Sequence, residues 1–363
     1  MNKKDKAPLI RIAKRSKSVL SPAKVWAIRI ASLVIAIIIG GIIFAALGAN
    51  PFSAYGLILS SSFAKATGRR QVFKLMIPLL GTALALAPCF KMRYWNIGGE
   101  GQITMGAMAA SYFALFWVDR LPAPVLLLVM CLAGALFGGI WAAIPAVFRA
   151  RWGTNETLFT LMLNYIAIGI VAWLQGGPWE GKPGSQLIPQ FKDKALLPRV
   201  MGVHCGWIIV AVLVVVMYVY LNYTKHGYEI SVLGESENTA RYAGMDVAKV
   251  TVRTAFLSGA ICGIVGFMLA SGTNGSLQST IANGAGFTAI TITWLSQLNP
   301  FAMVAISLMM AVLSKGSGNV QTTYGIPASI SGIITGIILM SMLACEFFVN
   351  YQVFFRRGKE EGR

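Results

Sequence analysis

Long apolar runs are the feature that most limits what this chain can fold into. Such runs recur from residue 25 to residue 348, and several reach or approach the ~20 apolar residues that a helix needs to cross a bilayer. They are continuous and do not alternate at a period of two, so they predict helices and not a β-barrel. Charged residues make up 12% of the chain, about half the fraction of a typical soluble domain. We therefore predict an all-α, polytopic membrane helix bundle.

The runs predict about ten transmembrane segments within one transmembrane domain, residues 1–363. Pro78, Gly81 and Pro88 predict breaks in the second segment, because proline removes a helical hydrogen bond. The eighth segment is too short for an ordinary crossing and predicts a broken half-helix. We prefer ten crossings because an even number places both basic chain ends on one side. The predicted segments are 25–47, 72–90, a third that follows residue 102 and ends near 119, 125–148, 153–174, 205–221, 254–269, 286–298, 301–313 and 328–348.

The net charge of +18 is concentrated beside the predicted membrane segments. Residues 1–24 form a basic arm, residues 225–253 a basic loop and residues 350–363 a basic tail. Lys and Arg accumulate on the cytoplasmic side of membranes, near anionic lipid. We therefore expect a multi-pass membrane protein with both termini in the cytoplasm. Membrane lipid, and not nucleic acid, is the partner expected for these charges.

Motifs for catalysis, metal binding and nucleotide binding are incomplete. Residues 176–183 approach the phosphate-binding pattern GxxxxGK[ST], but Pro183 stands where the pattern requires a hydroxyl. His204 and His226 are predicted on opposite faces of the membrane, and the five cysteines are scattered singly, so no metal site is predicted. We therefore predict no catalytic residue, no bound cofactor and no enzymatic activity in this chain.

Polar side chains at the starts of predicted segments suggest either caps or a translocation pathway. A charge deep in a bilayer costs at least ~2.5–3.5 kcal/mol, so Glu100 and Glu156 are expected to face protein or water. They either cap helix N-termini or line a pathway. Asn164 has a further alternative, a hydrogen bond to a neighbouring helix. The candidate pathway residues are Asn96, Glu100, Gln102, Asn155, Glu156, Asn164, Thr288, Thr291 and Thr293.

Two polar, glycine-rich elements interrupt the apolar pattern. Residues 96–102 lie between the second and third segments on the predicted inner side, and residues 283–293 follow the seventh on the predicted outer side. Interrupted helices in inverted repeats are a recurrent arrangement in transport proteins. We therefore predict an inverted repeat.

Residues 234–246, GESENTARYAGMD, form a short polar segment between two long apolar runs. Ala240, Ala243 and Gly244 are small and allow close approach, while Glu237 and Arg241 are four residues apart on one helix face. The basic residues around the segment predict a cytoplasmic position. We interpret it as a contact site for a partner in water, with a solvated loop as the alternative.

Several motifs, in order along the chain, resemble those of one transporter family. They are NIGGEGQITMGA (96–107), GTNETLFTLMLNYIA (153–167), GESENTARYAGM (234–245) with SGAICGIVG (258–266), and NGAGFTAITITWLSQLNP (283–300) with YGIP (324–327). The set resembles the permease subunits of ATP-binding-cassette (ABC) importers, in the branch that serves nucleosides and simple sugars. Permeases of that branch are similar to those for branched-chain amino acids. NIGGEGQ together with GTNE is more similar to the nucleoside group than to the ribose or branched-chain amino acid groups.

The resemblance implies a permease of the bacterial plasma (inner) membrane that forms a substrate pathway by alternating access. It further implies a cytoplasmic ABC ATPase that binds ATP and Mg, a second permease subunit in a heterodimer, and an extracytoplasmic substrate-binding lipoprotein. Nucleosides are the first candidate substrate and simple sugars the second; an ion-coupled secondary transporter is a more remote alternative. Residues 234–249 would be the coupling segment that binds the ATPase. Its implied contact residues are Gly234, Glu235, Glu237, Ala240, Arg241, Tyr242, Ala243 and Gly244.

Overall fold

A computed structural model describes residues 10–14, 22–325 and 351–355, with isolated positions at 333, 336, 337, 340, 341 and 344. The chain divides into two compact units, one of Met1–Ser61 with Gly316–Arg363 and one of Ser62–Lys315. Its helices are α1 Pro22–Ala46, α2 Pro51–Phe63, α3 Ala66–Lys91, α4 Gly99–Phe116, α5 Ala123–Trp152, α6 Glu156–Gln175, α7 Gly206–Tyr223, α8 Lys225–Glu235, α9 Glu237–Tyr242, α10 Val247–Met268, α11 Ala285–Leu295 and α12 Pro300–Tyr324.

Short elements complete the described part of the chain. A 3-10 turn covers Asp193–Ala195, and a π-helical turn, Leu269–Asn274, extends α10. Strand β1, Ile10–Lys14, pairs antiparallel with β4, Tyr351–Phe355, so the backbone near one chain end lies beside that near the other. Strands β2, Arg199–Val200, and β3, Val203–His204, form a hairpin. The helical bundle is as predicted, with these small strands added to it.

Six of the described helices are long and apolar enough to cross a membrane: α3, α5, α6, α7, α12 and α10 with its π-helical extension. Residues Val34–Ala46 and helix α2, bent by 112° to each other, make a seventh if the pair is one span. Helix α4 is absent from this set because Glu100, Gln102 and several glycines occupy its first turns. Helix α11 has 11 residues, too few to cross alone. The ten predicted segments are therefore not all found, and residues 328–348 lie, apart from isolated positions, outside the described residues.

Helix α3 is continuous, so the predicted breaks at Pro78, Gly81 and Pro88 are wrong. Membrane helices tolerate proline when neighbouring helices surround the freed backbone groups, and α3 is mostly buried. Gly81 serves packing and not a break: a Cβ there would lie 2.7 Å from the side chain of Val265 in α10.

The centre of the unit Ser62–Lys315 is the contact of α10 with α4 and α5. Gly138 of α5 lies against the backbone of Gly259 and Gly263 in α10, and Gly263 also meets the backbone of Gly106 in α4. A Cβ at any of these positions would overlap backbone atoms. The spacings Gly134-x-x-x-Gly138 and Gly259-x-x-x-Gly263 thus mark one interface, which is typical of small residues in membrane helices.

Helices α5, α6 and α7 are mostly exposed within the unit, in contrast to α3 and α10. Their exposed side chains are large and apolar, among them Leu128, Leu132, Val212 and Val215. In water such a surface would aggregate, whereas lipid or another membrane subunit satisfies it.

Candidate functional site

The coupling segment folds as a short helix between two capped ends. Helix α8 stops at Glu235, and the Ser236 hydroxyl accepts a hydrogen bond from Thr239 N at 3.3 Å, which caps α9. Gly244 has φ +75°, which reverses the chain direction after α9. The Asp246 carboxylate then accepts from Lys249 N at 3.0 Å and caps α10. These caps arise from local sequence, because short polar side chains satisfy free N–H groups at helix starts.

Most of the coupling segment is exposed. The phenol of Tyr242 is almost free, at 92% exposure. Glu237 and Arg241 form an exposed ion pair at 2.7 Å on one face of α9. Glu235, Ala243 and Gly244 are exposed as well. These residues are therefore available to a partner.

Gly234 and Ala240 differ from their neighbours because both are buried. A Cβ on Gly234 would overlap the carbonyl of Lys91, the last residue of α3. Beside this contact, Ile230 of α8 belongs to one apolar cluster with Met92 and Tyr94. The small residues predicted to face a partner thus include two that pack inside this chain.

The loop after α3 is held by a buried polar network centred on Asn96. Its amide donates to Gln102 Oε1 at 3.3 Å and to Ser258 Oγ of α10 at 3.2 Å, and its oxygen accepts from Gly98 N. From α6, Asn164 donates to Ile97 O at 3.0 Å and accepts from Gly101 N at 2.8 Å. Asn96, Gln102 and Asn164 are each 1% exposed. All three bond within the bundle, and Asn164 makes the interhelical hydrogen bond considered as one alternative.

Glu100 connects the two glycine-rich elements. Its carboxylate accepts from Gly284 N at 2.7 Å and from Gly286 N at 2.8 Å, at the start of α11. Gly286 is necessary for this approach, because a Cβ there would overlap Glu100 N. The two elements are therefore in contact, whereas the sequence predicts them on opposite sides of the membrane. The symmetry of an inverted repeat stays a prediction.

Asn155 and Glu156 lie together at the start of α6. The Asn155 oxygen accepts from Leu158 N at 3.2 Å, which caps the helix. Glu156 is 6% exposed, forms an ion pair with Arg149 at the end of α5 and accepts from Trp95 N at 3.4 Å. The turn between α5 and α6 is thus joined to the loop after α3.

Helix α11 presents its predicted threonines on different faces. Thr288 and Thr291 are partly exposed, on the face that also contains Phe287. Thr293 is fully buried and donates to Ala83 O of α3 at 3.1 Å. Thr293 therefore fixes α11 to α3 in this conformation, whereas Thr288 and Thr291 are accessible.

Two tryptophans lie beside these threonines and are not among the predicted site residues. The indoles of Trp95 and Trp294 stack at 5.3 Å between centroids with an interplanar angle of 25°, and buried Phe90 packs on both. Trp95 is 45% exposed and Trp294 is 37% exposed. Trp95 directly precedes Asn96, and Trp294 is three residues after Thr291 on the same face of α11. That helical spacing is the signal that could have identified Trp294.

A cleft of about 790 Å³ opens beside the coupling segment. It is lined by the α5–α6 turn with Arg149, Asn155 and Glu156, by Met92–Tyr94, and by coupling-segment residues that include Glu237 and Arg241. The coupling segment therefore borders a polar space and is not packed flat against the bundle.

The loop of residues 176–204 is ordered against the end of α10. Leu197 N donates to Ser271 O at 3.1 Å, and Phe191 N donates to Gly275 O at 2.7 Å. His204 is 1% exposed, and its Nε2 lies 3.3 Å from Thr273 Oγ1. Burial, together with the charge of Lys74, lowers the pKa of His204 to about 4. Among the described residues no group of three His, Cys, Asp or Glu side chains could hold a metal ion.

Comparison with known proteins identifies the family. Residues 70–343 match the family described as branched-chain amino acid transport system / permease component. The glucose ABC transporter permease protein TsgB13 of Haloferax volcanii is 33% identical over 344 residues, which are 90% of this chain and 90% of that protein. The guanosine ABC transporter permease protein NupP of Bacillus subtilis is 25% identical, over 90% of this chain and 94% of that protein. The nucleoside ABC transporter permease protein NupB of Lactococcus lactis is 25% identical, over 88% and 90%. This chain therefore belongs to the branched-chain amino acid transport system permease family and is the membrane permease subunit, not the ATPase, of an ABC importer of the nucleoside and sugar branch.

Proposed function

We propose that cytoplasmic ATPases drive this permease through its coupling segment, residues 234–249. The supporting observation is the exposed, capped helix α9, with Tyr242 at 92% exposure and the Glu237–Arg241 pair beside it. An exposed aromatic side chain in a short polar helix is typical of a residue that a partner buries. ATP and Mg bind to the partner ATPase, and this chain binds no cofactor.

The test is co-purification of the permease with its ATPase. Replacement of Tyr242 by alanine should weaken the association tenfold or more, an effect of ~1.4 kcal/mol or above that is within the range of interface tyrosines. Tyr165→Ala in α6 is the matched control, because Tyr165 is 63% exposed but lies outside the coupling segment. ATP-independent uptake by proteoliposomes that contain this chain alone would contradict the proposal and favour a secondary transporter.

The proposed translocation pathway uses the accessible face of α11. Thr288 and Thr291 supply hydroxyl groups there, and Trp95 and Trp294 supply exposed ring surface. We assign a different role to Asn96, Glu100, Gln102, Asn155, Glu156, Asn164 and Thr293. Asn155 is exposed and caps its own helix, and the other six form hydrogen bonds or ion pairs with other parts of the bundle. They therefore position the pathway helices.

The proposed substrate is a nucleoside, with a simple sugar as the second candidate. Aromatic rings beside hydroxyl groups suit a planar base joined to a ribose, and two of the relatives are permeases for guanosine and nucleosides. The 33% identity to a glucose permease is the reason that a simple sugar is the second candidate. Uptake of labelled guanosine and labelled glucose by the reconstituted importer, each competed with the other, distinguishes them. Uptake of neither compound would contradict both assignments.

The proposed complex contains two permease subunits, cytoplasmic ATPases and an extracytoplasmic substrate-binding lipoprotein. A second permease is supported by the further similarity of this chain to NupQ of Bacillus subtilis, a guanosine ABC transporter permease like NupP. Exposed apolar side chains on α5, α6 and α7 leave surface for lipid and for that subunit. Both chain ends are proposed to lie in the cytoplasm.

A further inference from the structure

The loop between α3 and α4 touches both the coupling segment and the pathway helix. We call residues 91–100, from Lys91 to Glu100, the relay segment. Its first residues pack on α8, and its last residues hold α11. The two helices that it contacts belong to the proposed input and the proposed pathway.

The input contact is a backbone contact that no side chain separates. Gly234 lies so close to the Lys91 carbonyl that a Cβ would overlap it, and the same Cβ would lie 3.2 Å from Met92 Cα. Ile230 is fully buried in one cluster with Met92 and Tyr94, and Leu233 packs against that cluster. A close-packed contact of this kind transmits displacement, because it has no space to absorb movement.

The output contacts are two and chemically different. Trp95 stacks on Trp294 at 5.3 Å, near the C-terminal end of α11. At the N-terminal end of α11, Gly284 N and Gly286 N each donate a hydrogen bond to the Glu100 carboxylate. The relay segment therefore holds both ends of an 11-residue helix.

Several hydrogen bonds hold the middle of the relay segment in place. Asn96 forms hydrogen bonds to Gln102 and Ser258, and Ile97 N donates to Thr160 Oγ1 at 3.2 Å. Because these groups are buried, movement of one exchanges several hydrogen bonds together. Such a network favours two discrete arrangements over gradual bending.

Helix α10 offers a second connection from the coupling segment. Its glycines hold it backbone to backbone against α4 and α5, and it also packs on α3. Helix α11 packs on α3 and α4, the two helices that the relay segment joins. The atoms nearest to a Cβ at Gly234 belong to the relay segment, so a substitution there tests this connection and not the one through α10.

We infer that the relay segment transmits movement of the coupling segment to α11 and so exposes or hides Thr288 and Thr291. Gly234 and Glu100 are its positioning residues, at the input and the output. This inference rests on the proposed function, since it requires an ATPase at the coupling segment.

The experiment follows a single cysteine at Thr291 in the complete importer, in a background without the five native cysteines. The rate of its reaction with a water-soluble maleimide is measured with and without ATP. We expect a change of threefold or more in the parent complex. Gly234→Ala should abolish this change and uptake while the ATPase still co-purifies and hydrolyses ATP. Gly169→Ala is the matched control, because a Cβ there meets no atom within 4 Å and should leave the change intact.

Glu100→Gln tests the output end and does not alter the Gly234 contact. It keeps the side-chain shape but turns an NH₂ group toward a backbone N–H, and the same loss of the ATP-dependent change is expected. The inference is wrong if an importer driven by its ATPase shows no ATP-dependent change in labelling at position 291. It is also wrong if the variants that assemble keep this change. Failure of the parent to bind the ATPase would contradict the proposed function instead.

Discussion

At the scale of single residues, the structure separates two carboxylates that the sequence leaves equivalent. Glu100 accepts two backbone hydrogen bonds from the start of α11, and Glu156 pairs with Arg149. A buried charge requires such partners, because removal from water costs several kcal/mol. Both carboxylates therefore join separate parts of the bundle in this conformation.

The two threonines of α11 predict opposite phenotypes. Thr291→Val should raise the KM for uptake about 2- to 10-fold, the effect of one lost hydrogen bond of ~0.5–1.5 kcal/mol, because Thr291 is accessible. Thr293→Val should leave that KM unchanged and lower the thermal unfolding midpoint, because Thr293 donates to Ala83 O. Concentration-dependent uptake and thermal unfolding of both variants check this. An equal change of KM in both would contradict the assignment.

His204 predicts a pH dependence of stability. Its pKa is about 4 in the folded chain and 6.5 for the free group, so only the unfolded chain takes up the proton between these values. The stability is complete above pH 6.5 and falls as the pH decreases toward 4. From pH 6.5 to pH 5 the loss should be about 2 kcal/mol.

Thermal unfolding midpoints of the parent and of His204→Gln, followed across this pH range, measure the contribution of His204. The parent should lose stability relative to the variant as the pH decreases. Parallel curves would show that His204 titrates normally, which would contradict its burial beside Lys74.

At the scale of elements, the glycine contact of α10 with α4 and α5 should tolerate no added carbon. Gly263→Ala should reduce the stability by about 1–3 kcal/mol, because its Cβ would overlap the backbone of α5 and must separate the helices. Gly169→Ala, on the open side of α6, should be neutral or slightly stabilising, since alanine favours helix. Thermal unfolding of the two variants provides the comparison, and similar losses in both would be inconsistent with this packing.

The elements themselves were predictable to different degrees. Long apolar helices such as α5 and α7 follow from run length alone. The continuity of α3 does not, because the effect of Pro78 and Pro88 depends on the helices around them. Helix α4 forms although its first turns contain Glu100 and Gln102, since partners on α6, α10 and α11 bond to its start or to the loop before it.

At the scale of the whole molecule, we predict that both chain ends lie in the cytoplasm and residues 176–204 lie outside. Single cysteines at Ile12 and Val353 should react with a membrane-impermeant maleimide only after the cells are permeabilised. A cysteine at Met201, which is 83% exposed, should react in intact cells. Labelling of position 353 in intact cells would contradict this topology.

The sequence by itself determined the class of this protein and its helical bundle, and the ordered motifs identified the family. It also predicts a coupling segment at residues 234–249. Run length and helix caps act through neighbours along the chain, so they follow from the sequence directly. Only the tertiary structure decided which polar groups meet. Glu100 and Gly284 are 184 residues apart, and the Gly234–Lys91 contact likewise joins distant parts of the chain. A buried polar group must find a partner, but its sequence does not specify which, because the packing of surrounding helices selects that partner.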